Sequence, residues 1–312
     1  THSDSSAASD VYKRQFLTIK TYSCHMKFLL KLFIFVLSFA TISFADIKQV
    51  KDNFFNSLET FLDGNFEHTD FTIRTTEETK PELSIQTFKP LNESDEELTF
   101  FQGSFFMHDG DRETLNLGLG KRYISEDETT MYGLNAFYDH ELDYDHSRMS
   151  LGGEIKSSYL ELNYNQYFSN SDSKTGKNNK AEEALDGYDL EFGAQIPYIP
   201  SSTFYTKAFK FDVPSGNDFE GYEYTTKVEV PNSGLTFELG HTNYDHHTDE
   251  WFLQLRFSTN KVNKDREFIS DEVFEKTSIV DQKYDKVRRE NIIVKSGSAF
   301  TAVSYTHLTL PT

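Results

Sequence analysis

The sequence predicts an all-β fold, a twelve-stranded antiparallel transmembrane β-barrel with a short C-terminal helical linker. Three observations predict it. The stretch from about 65 to 260 is a train of alternating segments, mostly ten to thirteen residues long. A tilted strand needs about 9–11 residues to cross a bilayer, whereas strands of soluble proteins more often have about 5–6. Charge is sorted by face along these segments, and their connections alternate between short and long, as in barrels with short turns on one side of a membrane and longer loops on the other.

Taken in chain order, residues 1–25 and 304–312 read as linker-derived rather than native sequence, because no Met precedes Met26 and the final VSYTHLTLPT resembles a translated sequencing linker. Residues 26–45, MKFLLKLFIFVLSFATISFA, have a short basic start (Lys27, Lys31), an apolar run and small residues at Ser43 and Ala45. That order is a secretory signal cut after Ala45. Cys24, the only cysteine, lies before it, so disulfides and thiol chemistry are not expected in the exported chain. Residues 46–64 read as a periplasmic N-terminal segment with no peptidoglycan-binding module.

The candidate strands cover 65–75, 82–90, 97–108, 112–124, 129–140, 147–157, 159–169, 186–197, 202–213, 220–230, 234–245 and 249–259. In seven of them one face is free of charge. It carries Leu115, Leu117, Leu119; Met149, Leu151, Ile155; Leu160, Leu162, Tyr164; Leu190, Phe192, Ile196; Tyr224, Val228, Val230; Leu235, Phe237, Leu239; and Trp251, Leu253, Leu255, Phe257. The opposite face carries Glu154, Lys156, Glu161, Asp189, Glu191, Glu223, Lys227, Glu229, Glu238 and Arg256, and is assigned to the lumen. The strands at 65–75, 82–90 and 202–213 alternate less cleanly, with Lys207 and Lys210 on opposite faces. A soluble sandwich would bury the apolar face in a core. Lipid is favoured because a charge at the bilayer midplane costs roughly 2–4 kcal/mol, and because Tyr132, Tyr138, Tyr188, Tyr222 and Trp251 recur near apolar-face ends, as an interfacial girdle would place them. The connections NESDEE, SEDE, SS, PYIPS and PNSG are short, and NSDSKTGKNNKAEEAL is long and falls on the other side.

Net charge is −19, which disfavours nucleic acid, since phosphate contacts need Lys and Arg. A mean hydropathy of −0.58 with 15% aromatic residues fits strands with one wet and one dry face. Residues 260–303 follow the last strand as a linker or plug. Residues 270–290 are expected to be helical, with Ser270 as cap, Asp271 and Glu272 in the first turn, and Val273, Val280, Tyr284 and Val287 on one face. Lys283, Lys286, Arg288, Arg289 and Lys295 make this segment basic, and it is expected to dock in the acidic lumen and close it.

NLGLGKRY (Asn116–Tyr123) and MYGLNAFYDHELDYDHSRMSLGGEIKSSYLELNYNQYF (Met131–Phe168), followed by GYDLEFGAQIP (187–197) and YDKVRRENIIV (Tyr284–Val294), resemble the inverse autotransporter β-domain, the outer-membrane barrel of the intimin and invasin family. The resemblance covers about 65–295 and implies a twelve-stranded barrel in the outer membrane of a Gram-negative bacterium. It implies that the chain after the last strand passes back through the pore, with Tyr284, Asp285, Arg288, Arg289 and Asn291 in that linker, and exports a C-terminal passenger, often an adhesin. Phe257, the closing aromatic of WFLQLRF, is expected to be read by the barrel-assembly machinery. The other partners implied are outer-membrane lipid, periplasmic chaperones and, through a passenger that would lie beyond this chain, a host or cell-surface receptor.

No cofactor, metal or catalytic site is expected. DHELDYDH (Asp139–His146) and DHHTDE (Asp245–Glu250) gather His and Asp near one rim, but polar residues are the default for external loops, and the spacing matches no hydrolytic motif. NLGLG lacks the strand-to-helix setting of a phosphate loop, and its glycines instead suit bending or close approach within a strand. A stand-alone porin-like barrel is the main alternative, and a surface hydrolase using His140 or His246 is a more distant one.

Overall fold

The computed structural model describes residues 68–77, 79–109, 112–176, 179–260, 267–274 and 276–296. The expected signal sequence (26–45), the expected N-terminal segment (46–64) and the two ends read as linker-derived lie outside them. Twelve strands close a barrel: β1 (Thr69–Thr76), β2 (Glu82–Glu93), β3 (Glu97–His108), β4 (Arg112–Ile124), β5 (Thr130–Glu141), β6 (Ser147–Ser157), β7 (Leu160–Ser169), β10 (Gly187–Ile196), β11 (Ile199–Phe211), β12 (Phe219–Glu229), β13 (Leu235–Tyr244) and β14 (Glu250–Ser258). Neighbours in this order pair antiparallel, and β1 pairs with β14 (Phe71 opposite Phe257, Ile73 opposite Leu255), so no sheet edge is left.

Two details depart from the sequence reading. The long connection after β7 is not featureless, because β8 (Lys174–Thr175) and β9 (Ala181–Ala184) pair within it. The expected helix over 270–290 does not form. Among the described residues only a 3₁₀ turn, η1 (Val280–Tyr284), is present, and the chain then runs without helix, bending at 285, 289 and 292, to β15 (Lys295–Ser296), which pairs with β9. A non-helical chain also spans the lumen in fewer residues. Ten residues, 285–294, reach about 33 Å when extended, against about 15 Å as a helix, and an extended chain is also thinner.

Side chains sort by parity. Leu117, Leu119, Leu134, Met149, Leu151, Leu162, Leu190, Phe192, Phe204 and Tyr222 are exposed on the outer surface. Glu154, Lys156, Glu161, Asp189, Glu191, Glu223, Lys227 and Glu238 are buried inside, and Glu229 and Arg256 point inward with partial exposure. The interior is not purely charged. Phe88, Leu98, Phe100 and Phe137 form one inner cluster with Val287, while Tyr167, Leu185, Phe209, Phe211 and Phe219 form another with Val294. Glycine makes room for the first: a Cβ on Gly118 would lie 2.2 Å from the Phe137 ring of the paired strand.

Connections divide the barrel into a turn end and a loop end. At the turn end, β10 and β11 are joined by Pro197 and Tyr198 alone, and Tyr198 has φ 64°. The β4–β5 turn carries Glu128 at φ 55° and is closed by hydroxyls of Ser125 and Thr129 on Asp127, which hold that carboxyl down at about 2.

Candidate functional site

The site is the lumen together with the segment that threads it, residues 276–296. After β14 finishes at the turn end, the chain crosses that rim and turns into the barrel. Ser278 donates to the Glu128 carboxylate (2.9 Å), and the Ile279 N–H donates to the Glu128 carbonyl (2.9 Å). Ile279 is fully buried with Ile124 and Met131. Tyr284 ends η1, donating to Glu93 (2.5 Å) and stacking on His68 with ring centroids 4.1 Å apart, while Lys283 pairs with the same Glu93 (2.6 Å).

Beyond this point the wall supplies the hydrogen bonds that a helix would have made internally. Buried backbone groups need partners, and here side chains of β3, β4, β6 and β7 meet them one after another. Arg122 donates to the carbonyls of Lys283 (2.5 Å) and Asp285 (2.8 Å). The Val287 N–H donates to Gln102 (2.9 Å), and Asn165 donates to the Arg288 carbonyl (2.9 Å). The Glu290 N–H donates to the Tyr167 hydroxyl (2.7 Å), its carbonyl accepts from Arg148 (2.7 Å), and the Asn291 carbonyl accepts from Asn116 (2.9 Å). At the loop end, the Leu185 N–H donates to the Val294 carbonyl (3.0 Å).

Charge adds direction to this grip. Arg288 lays its guanidinium in parallel on Glu191 (2.6 and 2.9 Å) and stacks on the Tyr205 ring at 3.8 Å. Arg289 does the same on Asp139 (2.9 and 2.6 Å), with Ser150 at 3.0 Å and the Phe137 ring at 4.3 Å. Such two-pronged contacts are the strong form of a carboxylate hydrogen bond. Asp139 also receives Arg148 (2.8 Å) and Asn116 (2.7 Å), so one buried carboxylate is shared by two arginines and an amide. Lys286 pairs with Asp70 (3.2 Å) and Asp285 with Lys156 (3.3 Å). Lys295 binds Glu141 where the segment emerges.

Of the ten lumen residues read from sequence, Lys156, Glu191 and Glu238 reach the segment directly, with Glu238 3.8 Å from Arg288. Glu154 acts through Arg122 (2.7 Å). Glu161 faces Lys156 (4.0 Å), and Asp189 accepts from Tyr167 (2.5 Å) and Asn165 (2.8 Å). Glu223 pairs with Lys207 (3.1 Å), Lys227 with Glu229 (3.3 Å), and Arg256 with Glu238 (3.9 Å) within the wall. Of the linker residues, Tyr284, Asp285, Arg288 and Arg289 meet the wall through their side chains. The Asn291 side chain bonds only locally to Arg289, and its carbonyl makes the wall contact. Phe257 lies next to the end of β14 and faces the outer surface, half-buried.

The sequence reading missed Arg122, Arg148, Asp139, Gln102, Tyr167 and the two asparagines. Their signal was available. The alternation that turns Leu115, Leu117 and Leu119 outward turns Asn116 and Arg122 inward, and pairing places Asp139 opposite both Asn116 and Arg148.

At the loop end, Glu141, His146 and Glu182 bring possible ligand atoms within 4.8 Å of one another. Arg112 spans both carboxylates (2.6 and 2.7 Å), and Lys295 adds a second cation. The acids are thus already neutralised, and the arrangement is an ionic clasp over the emerging segment rather than a metal centre. His140 lies 3.7 Å from Asp145 of its own turn, while His246 is exposed beyond β13, diametrically opposite β5 in the strand order. The structure does not bring the two histidines together. A cavity of about 160 Å³ remains beside the segment, lined by Arg74, Glu82, Lys207, Glu223, Glu250 and Glu290 among others.

This architecture has counterparts among known proteins. A solved structure reported as "Unveiling the Mechanism Behind the in-meso Crystallization of Membrane Proteins" shares the fold, with a TM-score of 0.61 at 19% identity over 74% of this chain and all of that one. Intimin of Escherichia coli O127:H6 (strain E2348/69 / EPEC) is 31% identical over 120 residues, 38% of this chain and 12% of intimin. Invasin of Yersinia enterocolitica is 29% identical over 103 residues, 32% of this chain and 12% of invasin. The chain spans 40% or less of the length of the curated relatives it matches. The family model described as "Inverse autotransporter, beta-domain" matches residues 41–291, so both the barrel and most of the segment inside it fall within the match, and the chain belongs to the inverse autotransporter β-domain family.

Proposed function

We propose that this chain is the outer-membrane anchor and translocator of an intimin- or invasin-like inverse autotransporter, a passive pore through which the downstream polypeptide is threaded and then held. The observation that carries the reading is the segment 279–296, a 3₁₀ turn followed by non-helical chain. It enters at the turn end, leaves at the loop end, and has backbone groups of Lys283, Asp285, Val287, Arg288, Glu290 and Asn291 met by side chains of the wall. A chain held in that way has nowhere to continue but the loop-end side of the barrel.

The outer surface supports lipid as solvent, because exposed Leu, Phe and Tyr side chains recur on its outward face from β4 to β7 and from β10 to β12, on a closed sheet, and closure is what a sheet in hydrocarbon needs. With the turn end periplasmic, the signal sequence at 26–45 delivers the chain, periplasmic chaperones carry it, and the barrel-assembly machinery inserts it by reading the strand that closes at Phe257. An adhesin passenger and its receptor belong to the same reading. The porin-like alternative draws on the cavity beside the segment.

The test is display. An epitope fused after Ser296 and expressed in a Gram-negative host is expected to be reached by antibody on intact cells, and an epitope placed in the β4–β5 turn only after permeabilisation. Labelling of the turn epitope alone on intact cells would reverse the orientation and refute the export reading. A large, solute-selective conductance of the intact chain would favour a porin.

A further inference from the structure

Between the wall and the lumen the chain crosses the turn end as a strap, of which residues 267–274 and 276–278 are described. Hydrogen bonds fix it to the turns. The Ser270 N–H donates to the Tyr198 carbonyl (2.9 Å), and the Tyr198 N–H donates to the Val273 carbonyl (3.0 Å). Ser201 donates to the Phe268 carbonyl (3.3 Å), and Ser158 to the Thr277 carbonyl (2.6 Å). The strap therefore clamps both backbone groups of Tyr198, a bulky residue at φ 64°, a conformation such residues adopt only when their surroundings over-determine it.

The side chains behave differently from the backbone. Phe268, Ile269, Val273 and Phe274 are 50, 66, 44 and 44% exposed. A few residues later, Ile279 of the same segment is fully buried. Much of the surface of these four therefore remains free of the barrel. They form an apolar rim with Tyr159, whose ring centroid is 5.5 Å from that of Phe274, and with exposed Tyr198 and Leu160. Leu160, next to Tyr159, is exposed on the outward face of β7, so the rim abuts the outer surface there. Contiguous exposed apolar surface marks an interaction site, and a belt ending in Tyr side chains is what the boundary between hydrocarbon and headgroups selects.

We propose that Phe268, Ile269, Val273 and Phe274 insert into the membrane interface at the turn end, making the strap a lipid-seated anchor that holds the segment at the mouth of the lumen. Asp271 and Glu272, between the two apolar pairs, stay with water. The idea rests on the reading that lipid surrounds the barrel, and the occupant is lipid rather than a protein. Interfacial segments of this kind sit about 5–10 Å into the headgroup–acyl boundary.

Tryptophan reports depth. In a Trp251→Phe background, Ile269→Trp and Phe274→Trp are compared with Phe204→Trp on the outer wall, five residues above the start of β11 and about 16 Å along it. Each variant of the full chain, shown to be folded by heat-modifiable gel migration, is placed in vesicles of phosphatidylcholine brominated at shallow or deep acyl positions. The strap tryptophans are expected to be quenched more by shallow than by deep bromines and to be shielded from aqueous acrylamide, with Phe204→Trp quenched more by deep ones. Quenching of Phe204→Trp without quenching of the strap overturns the proposal and leaves the barrel in lipid. Shielding from acrylamide without bromine quenching means that a protein covers the strap, and also overturns it. No quenching at any position removes the lipid reading altogether. If a tryptophan variant fails to fold, Ile269→Asp takes its place. Faster amide exchange at Ser270 and Tyr198 in vesicles but not in detergent supports the proposal, and equal exchange in both refutes it.

Discussion

Arg288 and Arg289 hold the segment by two buried, two-pronged ion pairs, and removing both should open the lumen. Deleting one partner of a buried pair costs about 3–5 kcal/mol, because the other charge is left uncompensated. Here the lower end applies. Asp139 keeps Arg148 and Asn116, and Glu191 keeps Asn163 (3.2 Å). The double variant Arg288→Ala/Arg289→Ala therefore loses about 6 kcal/mol of docking free energy. About 5.5 kcal/mol is enough to turn a 99:1 equilibrium into 1:99. Backbone hydrogen bonds from Arg122, Asn165 and Asn116 remain, so the segment should be released for much of the time rather than permanently. Single-channel recording in planar bilayers reads this directly. The wild-type chain should show small, quiet conductance, and the double variant larger steps with frequent transitions. Arg288→Lys/Arg289→Lys keeps the charge but loses the paired geometry, and should fall between them. A folded double variant whose conductance matches wild type would refute the electrostatic account of docking.

Other outcomes follow from the same geometry. Tyr167→Phe leaves the Glu290 N–H and one oxygen of Asp189 without their partner, so it should destabilise docking by about 1–3 kcal/mol and raise amide exchange at Glu290 without altering barrel migration. Gly118→Val forces the Phe137 ring out of its seat and should cost about 1–3 kcal/mol, read as a lower urea midpoint for unfolding, whereas Gly153→Ala, whose Cβ would meet nothing closer than 3.7 Å, should be near neutral. In the clasp, burial pushes the His146 imidazole below its ordinary 6.5, against the opposing pull of Glu141 and Glu182 and with Lys295 and Arg112 lowering it further. A depressed histidine is neutral when folded, so its contribution is present above that ordinary value and declines as pH falls below it. Amide exchange at Val294–Ser296 should accelerate on acidification toward pH 5, and His146→Gln should flatten that dependence; an unchanged profile would exclude His146 as its source.

The wall of the barrel was legible from sequence because a strand has a period of two, and a charge on the wrong face is costly. Leu151 outward and Glu154 inward follow from parity alone. The segment was not legible in the same way. Val280, Tyr284 and Val287 have helical spacing and do enter apolar clusters, but Ile279 and Val294 enter them too, and beyond η1 the chain is not helical. What decided the conformation was the supply of hydrogen-bond partners in β3, β4, β6 and β7, and a local periodicity does not contain that information. Arg288 and Arg289, singled out for their basic character, lie against Glu191 and Asp139. The inner aromatic clusters were hidden because Phe reads as lipid-facing unless its parity is followed, and Phe88 and Phe137 are on the inward parity.

The pairing of β1 with β14 sets the order in which this molecule can be made. Thr69 and Thr259 meet through a hydrogen bond that spans 190 positions of the chain. Glu191 on β10 and Asp139 on β5, which receive Arg288 and Arg289, lie on strands well away from that seam. Until the seam is sewn there is no corridor, and the acids that would greet the arginines face open water. A lumen exists to be occupied only once that seam has closed.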